Sequence, residues 1–116
     1  MAPSSVYNTH MDLIPGQVAI HYDGNEHVAV ILSMEGDQCE ALFFTSNPSW
    51  AEVCRRATVD ELAMAGYVST KRTYLAYVIR PCWNFSPIEA IYPQHWVENL
   101  RREFSVQRQK LRQVSA

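Results

Sequence analysis

Four side chains of this sequence could share proton-transfer and hydroxyl chemistry if the fold brings them together. His27 opens a strand-like run that closes at Ser33, and Thr45 and Ser46 close a second run that begins at Cys39. The residues between the runs include Gly36-Asp37, a turn signal, so the pattern predicts an antiparallel hairpin. Strands of similar length then place His27 and the Thr45/Ser46 hydroxyls at one end of that hairpin. An imidazole titrates near neutrality and can act as acid or base toward a group that a hydroxyl contacts. His21 lies across the preceding hairpin and is the alternative proton carrier. The plainer account makes His27 a strand-edge residue and gives both hydroxyls to the turn before Asn47-Pro48, as such hydroxyls commonly are.

The elements that must position these groups can be read in order. Pro15-Gly16 punctuates the start of a strand, and Val18, Ile20 and Tyr22 alternate with Gln17, Ala19 and His21. Asp23-Gly24-Asn25 predicts a tight hairpin. The run Val28–Leu32 is apolar on both faces, which suits a central strand in a curved or closed sheet. Residues 51–56 fit a helical turn or a short strand. Thr58-Val-Asp-Glu61 has the capping-box spacing and Gly66 is a helix stop, so a short helix lies between them. Residues 74–80, rich in Tyr and β-branched side chains, predict a strand. Pro81, Pro87 and Pro93 assign 82–93 to loop or edge structure. Trp96, Leu100, Phe104 and Leu111 then form one apolar stripe of a helix over 94–116, backed by Arg101, Arg102, Arg108, Lys110 and Arg112. The stripe is core or interface. Three or four antiparallel strands over 14–93 with these helices predict a mainly β fold with α: a small SH3-like antiparallel barrel, a flexible arm over 1–13 and the terminal amphipathic helix.

Composition narrows the class. The 116 residues are 47% hydrophobic and 19% charged, the balance of one globular domain. Cys39, Cys54 and Cys82 are odd in number and lack CxxC spacing, which predicts free thiols, a reducing cytoplasmic setting and no metal. No signal peptide and no span long enough for a bilayer is expected, and so no membrane association. The net charge of −2 conceals a segregation. Residues 1–54 hold seven carboxylates and no Lys or Arg, whereas 55–116 hold all ten Lys and Arg against five carboxylates. Folding could turn this into a bipolar surface with a phosphate-binding face, or interleave the charges so that they cancel.

The order Ile14-Pro15-Gly16-Gln17-Val18, a short hairpin, Val28–Ser33, a turn, and Leu42-Phe-Phe-Thr45-Ser46 resembles the PemK/MazF family of toxin ribonucleases. Asp60–Gly66 followed by Ser69–Arg72 is similar to a further stretch of that family, and the resemblance spans roughly residues 14–80. It implies an SH3-like barrel that dimerises, cuts single-stranded RNA without metal or cofactor, and is paired with an antitoxin protein. Catalysis would then fall to His27, Thr45 and Ser46, with substrate bound by Arg72, Lys71, Trp50 and His21. One departure matters: the family places Arg-Pro before its second-strand apolar run, where this chain has His27-Val28. An imidazole supplies acid–base chemistry but lacks the guanidinium fork that clamps a phosphate. Arg72, Lys71 or Arg80 would have to supply that charge. The alternative is a non-catalytic SH3-like interaction protein of a phage or mobile element, binding a protein, a nucleic acid or a small ligand through aromatics such as Trp50, Trp83, Tyr74 and Tyr92.

Overall fold

The structure, a computed structural model, describes residues 13–67 and 71–115, with side chains through 110. Six strands run β1 (Gln17–Tyr22), β2 (Glu26–Glu35), β3 (Gln38–Thr45), β4 (Cys54–Arg56), β5 (Tyr74–Pro81) and β6 (Phe85–Ile91). Two α-helices, α1 (Val59–Met64) and α2 (Gln94–Ser115), complete the fold, with short 3-10 turns at Pro48–Trp50 and Cys82–Asn84. All strand pairs are antiparallel, in the order β4-β5-β3-β2-β1-β6. The mainly β class with inserted helices is thus as expected. The hydrogen-bonded order has two ends, β4 and β6, so the sheet does not close on itself.

Strand alternation divides the buried residues between two faces. Val18, Val30, Leu32, Leu42, Phe44 and Leu75 face the helices, where Val97, Leu100 and Phe104 of α2 cover them. Burying each of these large side chains contributes roughly 1.5–3 kcal/mol. Ala19, Ala29, Ile31, Ala41, Phe43, Ala76 and Val78 form the core of the opposite face with Leu13, Cys39, Cys82 and Phe85. Two covered faces explain why the middle of β2 is apolar on both sides. The stripe of α2 from Trp96 to Phe104 is therefore part of this chain's own core, and the side chains of Leu111 and Arg112 lie outside those described.

Among the described residues the strands number six, against the three or four expected. The ambiguous stretch 51–56 yields the three-residue β4, and the proline-rich 82–93 yields β6. Pro87 is tolerated because β6 pairs only with β1 and leaves its other edge open. Of the arm expected over 1–13, Leu13 is buried, and 1–12 lie outside the described residues, as do Ser69 and Thr70. Tyr92, a candidate exposed aromatic, is fully buried and donates its hydroxyl to the Glu61 carbonyl at 2.6 Å.

The α1 capping box forms as its spacing predicts. Thr58 Oγ1 accepts from the Glu61 N–H at 3.1 Å, and Glu61 Oε1 accepts from the Thr58 N–H at 2.8 Å. Glu61 also takes both terminal nitrogens of Arg55 at 2.7 Å, while Arg55 Nε reaches Glu103 of α2 at 2.5 Å. One arginine of β4 thus ties α1 to α2. At the other side of the sheet, Gly16 accepts the Tyr92 N–H at 2.8 Å. Its φ is 96°, and a Cβ there would stand 2.8 Å from the Tyr92 carbonyl oxygen.

Candidate functional site

Register decides what the histidines meet. His21 and His27 are direct partners across the β1/β2 ladder. Ala19, Ala29, Phe43, Ala76 and Cys54 make the neighbouring row across five strands. Three alanines in that row leave room above the sheet, and aromatic rings fill it around Phe43. His27 stacks on Phe43 with centroids 4.9 Å apart and planes 18° apart. His21 lies 4.7 Å from Phe43 and 4.8 Å from Phe85. Trp50 meets both His27 and Phe43 edge-on at 6.2 Å. The Arg80 guanidinium sits 5.8 Å from the Phe43 centroid, a favourable cation–π position.

The two imidazoles differ in surroundings. His21 is fully buried, and neither ring nitrogen has a hydrogen-bond partner. Burial first, then the positive fields of Arg80 and His27, hold its pKa below the ordinary imidazole value, against the opposing pull of Asp23. It is a neutral core residue and stands behind Phe43 and Phe85, not at a surface that a substrate could touch. His27 is half-buried, and its Nδ1 is buried without a partner.

Of the two hydroxyls, Thr45 follows the plainer account. Thr45 is buried, and its Oγ1 accepts the Asn47 N–H at 3.2 Å, so it holds the turn after β3. Ser46 is exposed. The last β2/β3 pair is Ala29 with Phe43, which leaves His27 and Thr45 two residues beyond it at the same end of the sheet. Lys71 and Arg72, both exposed, precede Tyr74, the partner of Thr45 across β3/β5. The backbone thus gathers His27, Thr45, Ser46, Lys71 and Arg72 at one sheet end, and side chains bring His27 and Trp50 into contact.

Two features are not legible in sequence. An open groove of about 340 Å³ runs beside β5, where β4 has ended, with Trp50, Val78, Ile79, Arg80 and Arg108 among its walls. Trp50 is 46% exposed there. On the helix side, Glu40 accepts from Ser33 Oγ at 2.5 Å and from the Tyr77 hydroxyl, and pairs with Arg108 at 3.5 Å. Arg108 also covers the Tyr77 ring at 4.7 Å and donates to its hydroxyl at 3.0 Å. Desolvation raises the Glu40 pKa, but the Ser33 and Tyr77 hydrogen bonds with the charges of Arg108 and Arg101 outweigh it, so the carboxylate stays ionised. A cavity of about 360 Å³ opens beside this cluster, lined by Leu32, Arg101 and Arg102 among others. The only prior signals were the basic face of α2 and the tyrosines of β5.

Among the described residues no group of three or more His, Cys, Asp or Glu could hold a metal ion, and no helix is long and apolar enough to cross a membrane. Comparison with family models, curated proteins and solved structures found no match to this chain.

Proposed function

We propose that this chain binds single-stranded RNA along the groove beside β5, with Trp50 as a stacking platform and Arg80 and Arg108 as phosphate contacts. The observation that carries this reading is one open groove bearing an exposed indole, the Arg80 guanidinium and that of Arg108, which also pairs with Glu40, against one carboxylate, Glu52. Such a groove suits an unpaired strand, because stacking accepts any base and the cations follow the backbone. Arg72 and Lys71 add positive charge at the other end of β5, next to Thr45. The PemK/MazF resemblance and the SH3-like assignment belong to this proposal, with the open sheet as a divergence from a closed barrel.

The test is fluorescence anisotropy of a labelled oligouridine. Binding is expected to weaken with salt at a log–log slope of about −1 to −2, as two phosphate contacts require. Trp50→Ala is expected to lose about 5- to 100-fold in affinity. Absence of binding at low salt, or binding indifferent to Trp50, contradicts the proposal.

A second reading, cleavage, draws support from the half-buried His27 beside Trp50. His27 would be the acid or base, and Ser46, exposed at the same end of the sheet, the hydroxyl. The same RNA incubated in EDTA with wild type and His27→Gln decides it. Products from wild type alone support cleavage, and intact RNA in both leaves a binding protein.

A further inference from the structure

Cys39 and Cys82 line neither the groove beside β5 nor the cavity beside Glu40. Cys39 lies on β3 and Cys82 begins the 3-10 turn after β5, 43 positions later. Their sulfurs are 2.9 Å apart, inside ordinary sulfur–sulfur contact and between it and a covalent bond. Both residues are buried in the core of the second sheet face, and all three cysteines are free thiols. The placement is held by backbone: Cys39 pairs with Arg80, Gln38 pairs with Pro81, and the Cys82 N–H donates to the Asp37 carbonyl at 2.7 Å. The chain turns at Cys82 so that the two side chains must meet.

We propose that Cys39 and Cys82 are an oxidation site that a small peroxide converts to an intramolecular disulfide. Cys82 is the slightly more exposed, at 4% against 0% for Cys39, and reacts first. Its sulfur attacks one peroxide oxygen, the O–O bond breaks, and one water leaves with a sulfenic acid formed on Cys82. The Cys39 sulfur then attacks the Cys82 sulfur, the S–O bond breaks and a second water leaves. Two thiols lose two electrons and two protons, and one peroxide becomes two waters. Burial, followed by the neighbouring Cys82 thiol, pushes the Cys39 thiol up to about 12, so the second step, its attack on the Cys82 sulfenic acid, accelerates with pH. Cys54, half-buried on β4, makes no sulfur contact among the described residues, so it has no neighbouring thiol to condense with and stays outside the bridge.

The bridge would fasten the β5–β6 connection to β3 and close a loop of the unfolded chain. The folded, reduced protein is treated with a small excess of hydrogen peroxide, quenched, denatured, alkylated and weighed. One alkylated thiol is expected, at Cys54, with a Cys39–Cys82 cross-linked peptide after digestion. The melting midpoint is expected to rise by about 5–15 °C, and dithiothreitol to reverse it. Cys54→Ser, which leaves the pair untouched, is expected to show the same bridge and no alkylated thiol. Three alkylated thiols after treatment, a bridge that includes Cys54, or sulfonic acids without a bridge each overturn the proposal.

Discussion

His21 carries two ring nitrogens without a partner in an aromatic core, a setting that favours the uncharged ring. In the unfolded chain the same imidazole protonates near pH 6.5. Its folded pKa is lowered, so below about 6.5 the unfolded state binds more protons and stability falls as pH falls. Urea unfolding at pH 7.5 and pH 5.5 measures this loss. His21→Phe is expected to flatten it and to keep or gain about 1 kcal/mol, because no polar atom is then left unpaired. An unchanged slope in the variant would assign the effect to another group. Glu61 works in the opposite sense. Desolvation raises its pKa, but Arg55 and the Thr58 N–H overcome this and lower it, so its contribution is present at neutral pH and lost in acid as the carboxylate protonates. Glu61→Ala removes both the capping box and the Arg55 clamp. It is expected to cost about 2–4 kcal/mol at pH 7 by chemical denaturation; a loss under 0.5 kcal/mol would show the network to be surface decoration. Residue type alone could not separate His21 from His27. The sequence placed the two across one hairpin, but the depth of cover over each comes from Phe85 and Trp50, residues far along the chain.

At the scale of elements, helices were the most legible part. The capping spacing of α1 and the stripe of α2 are local patterns, and the structure follows them. β4 and β6 were legible only as one of two alternatives each, for equally local reasons. β4 has three residues, too short for a period, and β6 contains a proline that only its edge position allows. The stripe of α2 could be read, but not its partner, because amphipathicity says which side is buried and not against what. Phe104 now identifies the partner: it is fully buried and stacks with Tyr77 of β5. Phe104→Ala is expected to cost about 3–5 kcal/mol in unfolding free energy. Gly16→Ala is expected to cost about 2 kcal/mol or more, from a left-handed φ and a backbone clash at Tyr92. A Gly16→Ala protein as stable as wild type would mean that the β1 start and the β6–α2 junction are not locked together.

For the whole molecule, topology determines what becomes of the charge segregation. The acidic half builds β1, β2 and β3 in the middle of the sheet, and the basic half builds the strands that flank them, β4 and β5 at one end and β6 at the other, together with both helices. Some charges cancel across the halves, as Arg108 does with Glu40, and Arg55 is spent on two carboxylates of its own half. Arg80 and Arg108 reach the same groove from a strand and a helix, a convergence that no spacing in the sequence announces. Trp50 was legible as a candidate because it follows Asn47-Pro48 in a loop beside the third strand, but its neighbours in space were not. The central claim is that this groove, with Trp50 at its wall, receives single-stranded RNA. A proton–nitrogen correlation spectrum of labelled protein reads it directly, because the chain has three indole N–H groups, on Trp50, Trp83 and Trp96. Titration with an oligouridine is expected to shift the Trp50 indole, together with backbone signals of Val78–Arg80, and to leave the exposed Trp83 indole in place. A spectrum in which the Trp50 signal stays fixed at saturating RNA, or in which only Trp83 moves, would contradict the account.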